Sequence, residues 1–476
     1  MGRNLCRSVL SIFSILLCFM VVPVSFGSPL DLLPFENLTA DIGRGFGDTM
    51  NRYSWSMDNF NGNVYVGTWN VVLDYPAILN AIKNGEIGGG GNPLEGIQYT
   101  HSHGGEIWKH NGDQNWERVF KAGEDDNGFR IMAQYNGALY TGSQNNTGAN
   151  IYRTTNGTNW TELTGGPVDN ANNISIRTMI QHNGFLYVGT ENNKTGGELW
   201  QYNGSGWNKL QTFSDPSVAE LHVFNNKLYL GTWNFNDKFK FYESAGGGFT
   251  QVTPVFPGSN NLQNLGVMKL IDYKGYFYLG TVNYQDGFTL LRTKTPGNPN
   301  SWQVLTTNGF GNPDNSYSWS MKIHNGVLYL GTFNSGIYGG QYAPAPIPLD
   351  GRAQLWYTED GVTWKMMNDD GFGTPFTYGY RTMAVNDNRL FVGTASHFML
   401  PDPSDLNQLL AIFMQEYGSL NIEAFQAFLG QMGVLGGGYD IGTQVWASQS
   451  VPEPGTMLLL VSGLIGLVGL KRKIKS

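Results

Sequence analysis

Three arginines and two tryptophans recur at one position of a repeated segment. Aligned on the methionine position two residues later, the set in chain order is Trp55, Arg130, Arg177, Ala219, Gly266, Trp319 and Arg381. Guanidinium forks bind carboxylate or sulfate groups bidentately, and indole faces stack on sugar rings or cations. Gathered round one axis, these side chains suit a ligand with anionic groups and apolar ring faces. Trp55, Trp319 and Arg381 are the first candidates, with Arg130 and Arg177 across the axis second. The same residues have a plainer use, each Arg paired with an acid such as Asp126 or Asp370 and each Trp packed between repeats.

Other chemistry is less well specified. His101 and His103 have the spacing that puts two imidazoles on one strand face, with His397 in the last repeat as a third candidate ligand. An HxH in a Gly-rich loop is common, so no metal and no cofactor is expected. Asp74, Glu86, Asp402 and Asp405 lie in insertions and could supply a glycosidase carboxylate pair, but nothing sets their separation. Glu124-Asp125-Asp126 and Asp369-Asp370 lack the spacing of a calcium loop.

What must position these residues is a sevenfold repeat. VYVGTWN, LYTGSQN, LYVGTEN, LYLGTWN, FYLGTVN, LYLGTFN and LFVGTAS carry Gly67, Gly142, Gly189, Gly231, Gly280, Gly331 and Gly393. Before each copy runs an alternating strand ending in a turn. After it come a third strand and a fourth that often opens with Trp. Four short strands in a meander, repeated at about this period, predict an all-β, seven-bladed β-propeller of four-stranded antiparallel blades. The seventh copy reaches its third strand at residues 442–448 and then stops. Residues near 35–40 resemble a fourth strand and should close that last blade, removing an open edge. The turns YTEDGVTW and YRTTNGTNW resemble shortened Asp-box hairpins of sialidase-type and related propellers. That resemblance implies a propeller and not sialidase activity.

Three blades differ from the rest. Insertions 71–103, 335–351 and 396–441 lie in the first, sixth and seventh, which are contiguous in a ring. The last contains two helix-like stretches, Asp405–Tyr417 and Ile422–Met432. The same three blades carry Gly45-Phe46-Gly47, Gly309-Phe310-Gly311 and Gly371-Phe372-Gly373 in the loop before the first strand. Both features point to one sector of one loop face.

Both chain ends read as addresses. Residues 1–27 form a signal peptide, basic and then apolar, and hold both cysteines, Cys6 and Cys18. The exported ring would therefore have neither disulfides nor thiol chemistry. Residues 452–476 read Pro-Glu-Pro, a short apolar run, then Lys471, Arg472 and Lys473. This resembles the PEP-CTERM sorting signal, which implies export, transient membrane anchoring by the C-terminal segment and processing by an exosortase-type enzyme. Cargo of that kind is typically envelope or matrix protein of exopolysaccharide producers. Residues 28–451 are left as the propeller. Composition agrees, with 64 Gly, 13% aromatic and only 14% charged residues. A net charge of −8 argues against a nucleic-acid binder. The expected function is binding of polysaccharide or a protein partner through the loop face of blades six, seven and one. The alternative is a glycan-active hydrolase or lyase using acids or histidines of the insertions. Binding is favoured because no fixed acid/base pair is present.

Overall fold

The computed structural model describes residues 34–73, 100–255, 263–335, 352–396 and 442–449, apart from single positions within them, and short pieces between 413 and 424. The signal peptide, most of the three insertions with their helix-like stretches, and the sorting segment lie outside the described residues.

The fold is all-β and propeller-like. Among the described residues the strands fall into successive antiparallel runs of four. The third run shows the pattern: Ser175–His182, Phe185–Glu191, Glu198–Tyr202 and Trp207–Thr212. First and second strands are joined by tight turns such as Asn183-Gly184, where both residues have positive φ. Such turns match the twist of the strands they link. The end of each second strand bridges to the start of the next run's first strand, as Trp69 does to Gly128 and Phe333 to Gly379. The last of these bridges, Ala395 to Tyr53, returns to the beginning and closes the circuit. Phe35–Asn37 pairs antiparallel with Val445–Ser448, so the two ends of the described chain share one four-stranded run.

The repeated Gly-Thr-x-Asn has a structural explanation. A Cβ on the glycine would strike the next run's first strand, Ile176 at Gly142 and Val267 at Gly231. The glycine is thus a slot for a neighbouring side chain. The Thr and Asn both donate to one buried acceptor that opens the run. Thr190 and Asn192 reach Asn173 Oδ1 at 3.2 and 3.1 Å, and Thr232 and Asn234 reach Asp215 at 2.6 and 3.1 Å. The Thr hydroxyl in turn accepts a backbone N–H from the third strand, Glu198 N at 2.9 Å and Lys240 N at 2.8 Å. These bonds tie three strands together at the loop end of a run.

The buried acceptor is matched to its neighbour in charge. Where the third strand offers a carboxylate, the acceptor is an amide: Asn51 Nδ2 donates to Glu106 and Asn173 Nδ2 to Glu198, each at 2.9 Å. Where the third strand offers a donor, the acceptor is Asp. Asp215 takes Lys240 Nζ at 2.5 Å, and Asp126 takes Asn150 Nδ2 at 3.0 Å. Each of these buried carboxylates therefore faces hydrogen-bond donors.

The Gly-Phe-Gly loops are packing devices. Phe46, Phe310 and Phe372 all sit at positive φ, a strained setting for a bulky residue. Each turns its ring outward onto tryptophans of outer strands: Phe46 onto Trp108 and Trp116, Phe310 onto Trp356 and Trp364, Phe372 onto Trp446. The loops therefore anchor the outer edge of a four-stranded run, and their recurrence is explained without a ligand. The Asp-box-like hairpins are equally structural. Asp360 accepts Val362 N and Thr363 N at 2.7 Å, and Asn156 accepts the equivalent pair at 3.0 and 2.9 Å. The Val362 and Thr363 N–H groups hold the Asp360 carboxyl far below the usual carboxylate range.

Candidate functional site

A β-bulge stands at the same place in every first strand. Registers slip between Ser54 and Ser56, Phe129 and Ile131, Ile176 and Thr178, Val218 and Glu220, Val267 and Lys269, Ser318 and Ser320, and Tyr380 and Thr382. The residue in each gap has no ladder partner, and a bulge re-aims its side chain. Those residues are Trp55, Arg130, Arg177, Ala219, Met268, Trp319 and Arg381, and all seven line one axial cavity of about 110 Å³. In the fifth run the alignment on Met must be corrected. Met268 itself occupies the bulge, and Gly266 pairs in register with Val282. Backbone register decides this, and methionine spacing does not report it.

The tryptophans are supports. Trp55 and Trp319 are 4% and 5% exposed. The Arg130 guanidinium lies 5.0 Å from the Trp55 ring centre, and that of Arg381 5.3 Å from Trp319. Arg177 lies 4.9 Å from Trp233, a residue of the fourth glycine strand that the sequence did not single out. A Cβ on Gly128, Gly379 or Gly266 would collide with Trp55, Trp319 or Trp233 respectively. The rings are wedged between backbone and guanidinium, leaving little face for a sugar. A sequence signal existed in two cases: Gly-Phe-Arg at 128–130 and Gly-Tyr-Arg at 379–381 each follow a run whose bulge residue is Trp.

The arginines carry uneven compensation. Arg177 pairs with Glu191 at 3.0 Å, side chains 6% and 14% exposed. Neither acid named from the sequence is an arginine partner: Asp126 binds Ser143, Asn145, Asn150 and Tyr152, and Asp370 accepts from Asn368. Arg130 and Arg381 form no ion pair among the described residues. Burial, then the nearby Arg177 charge, lowers Arg130 well below the ordinary arginine range and holds Arg381 down to about 10. The Nε–H groups of Arg177 and Arg381 are buried with no acceptor among the described residues.

An aromatic layer bounds the arginine layer on the loop side. Tyr53, Tyr317 and Tyr378 precede the bulges on strands that start at the loop face, and pack with Trp233 and Phe333 in one buried cluster. Tyr53 and Tyr378 are joined hydroxyl to hydroxyl, as are Tyr284 and Tyr317. Below the arginines, Glu220 and Lys269 line the cavity as an ion pair, with Met57, Met321 and Met383 beside them.

The histidines do not assemble among the described residues. His103 Nδ1 lies 3.2 Å from Asp48, and its backbone N–H donates to Asn70. His101 has its backbone in a short strand, while His397, Asp74, Glu86, Asp402 and Asp405 lie outside the described residues. Among the described residues no group of three His, Cys, Asp or Glu could hold a metal.

Residues 450–473 match the PEP-CTERM protein-sorting motif. The motif implies export, envelope or surface association, and processing by exosortase-type machinery. Among the described residues no helix is long and apolar enough to cross a membrane. No curated protein matches the chain. Solved structures similar to it include the WD40 β-propeller domain of Doa1, at 11% identity over 76% of this chain and 95% of that one, TM-score 0.45. YCF48 from Cyanidioschyzon merolae is 9% identical over 76% and 96%, TM-score 0.45. The SapL1 lectin in complex with alpha methyl fucoside is 10% identical over 68% and 98%, TM-score 0.40. At these scores the likenesses say nothing of what this chain binds.

Proposed function

We propose that the chain is an exported, seven-bladed β-propeller, residues 28–451, that binds an anionic polysaccharide or an acidic protein partner. On this reading residues 1–27 direct export and 452–476 sort and tether it. Each four-stranded run is one blade. Arg381 and Arg130 receive a carboxylate or sulfate group in the axial cavity, Arg177 adds to their field, and Trp55 and Trp319 hold the guanidiniums in place. The observation that carries the proposal is the uneven compensation: three guanidiniums surround one cavity, and among the described residues one of them, Arg177, is in ion-pair contact with a carboxylate. A buried charge without a partner is costly, and an incoming anion relieves that cost.

The loop face of blades six, seven and one keeps only its long insertions as a mark of function, because the Gly-Phe-Gly loops are accounted for by packing. It serves in this reading as the surface for the remainder of a large ligand. The alternative, a glycan-active hydrolase or lyase, rests on acids and His397 outside the described residues and on His101 and His103, and no observation favours it.

Calorimetric titration with an oligouronate, a sulfated oligosaccharide and a neutral glucan tests the proposal. Binding of a charged oligosaccharide, weakened about 10- to 150-fold by Arg381→Ala for a loss of ~1.5–3 kcal/mol, is the expected result. Equal affinity of native and Arg381→Ala protein for every probe would falsify the site.

A further inference from the structure

The tail and the insertions leave the ring on opposite faces. Val445–Ser448 runs antiparallel to Arg389–Ser396 and ends beside the Asp387-Asn388 turn, where Leu390 N donates to Ser448 Oγ at 3.0 Å and Arg389 Nε to Ser448 O at 2.8 Å. Gln449 N then donates to Pro34 O at 3.2 Å. The chain therefore departs on the face of the first-to-second-strand turns. That turn face also holds Gly62, whose carbonyl accepts from Asn386. The second-to-third-strand connections, which contain all three insertions, leave from the opposite end of the strands.

We propose that in the tethered precursor the turn face is held against the bilayer and the insertion face points away from it. This rests on reading the sorting segment as a membrane tether. Six residues separate Ser448 from Gly455, where the apolar run begins, and the seven steps between them span at most about 25 Å when extended. So short a link leaves the ring little freedom to turn over. Lipid headgroups then face the turns, while the loops of the first, sixth and seventh runs remain open to a partner on the far side.

The experiment uses a property of the sequence: residues 28–476 contain no cysteine. Val362, 45% exposed, and the exposed Asp369 stand beyond opposite ends of the strand Lys365–Asn368. The strand between them carries the chain from the turn face to the loop face, roughly 10 Å over its own four residues. Val362→Cys and Asp369→Cys, each carrying a fluorophore, are reconstituted as chain 28–476 into phosphatidylethanolamine–phosphatidylglycerol vesicles with a headgroup-linked quencher. Loss of most fluorescence at 362 with little loss at 369 is expected. Equal quenching, or stronger quenching at 369, overturns the orientation, as does no quenching of protein that floats with the vesicles. Protein that fails to float with vesicles overturns the tether itself, and the orientation with it.

Discussion

The guanidinium of Arg381 lies 5.3 Å from the ring centre of Trp319, and a Cβ on Gly379, two residues before that arginine, would run into the same indole. One four-stranded run supplies the ring and the next supplies both the space and the cation. Arg130, Trp55 and Gly128 repeat the arrangement. The charge is held by cation–π attraction, worth ~2 kcal/mol when desolvated, and by no ion pair among the described residues. Binding and folding therefore respond differently to its removal. Arg381→Met should melt no lower than the native protein while losing charged oligosaccharide. Glu191→Gln, which strips Arg177 of its carboxylate, should cost about 3 kcal/mol. Calorimetric melting of both variants checks the contrast, and a lower midpoint for Arg381→Met would refute it.

The amide-to-acid exchange at the loop end of each run predicts a rescue. Asn173→Asp places a carboxylate against Glu198 and removes two donated bonds, so it should destabilise by about 2–4 kcal/mol. Adding Glu198→Lys recreates the Asp215–Lys240 pair of the next run and should recover most of the loss. Denaturant titration of the two single variants and the double variant measures the coupling, and additive losses would contradict the pairing.

Alkali should open the ring. Burial pushes the hydroxyls of Tyr53, Tyr229 and Tyr329 far above their ordinary value, with a Glu243 hydrogen bond adding to the shift at Tyr229. The unfolded chain ionises near pH 10, whereas the folded protein keeps these protons. Above that pH the unfolded state binds fewer protons, so stability is intact below about pH 10 and falls by ~1.4 kcal/mol per pH unit for each such tyrosine. Unfolding followed from pH 8 to 12 should show this decline, and a flat profile would rule it out.

Leu38 tests closure. It is fully buried in a cluster with Phe46, Trp116 and Val445, its N–H donates to Val445 O at 2.8 Å, and its carbonyl accepts Trp116 Nε1 at 2.8 Å. Leu38→Ala should cost about 2–5 kcal/mol. Its midpoint should fall by several degrees, and an unchanged midpoint would show that the N-terminal strand does not hold the ring.

The repeat, the turns and the axial positions of the three arginines were legible from residue type and spacing. The bulge was not, because it is a property of strand register. It is why Met268 displaced Gly266 from the axial set. Nor could spacing show what a side chain faces: Trp55 and Trp319 look the same in sequence whether they receive a sugar or an arginine. Phe46, Phe310 and Phe372 share that ambiguity, since recurrence marks a shared demand without saying whether it is for packing or for a ligand.

The pairing of Phe35 with Ser448 also sets an order of events during export. The strand that leaves the cell first must wait for one that emerges some 400 residues later, so closure is the most non-local strand pairing among the described residues and among the slowest to form. Only three residues separate Ser448 from Pro452 of the sorting motif. The last strand and the retention signal therefore reach the far side of the membrane almost together. If the sorting segment tethers the precursor as proposed, a chain whose ring stays open past that moment is already held at the site where it would be processed, with its unpaired edge next to the bilayer.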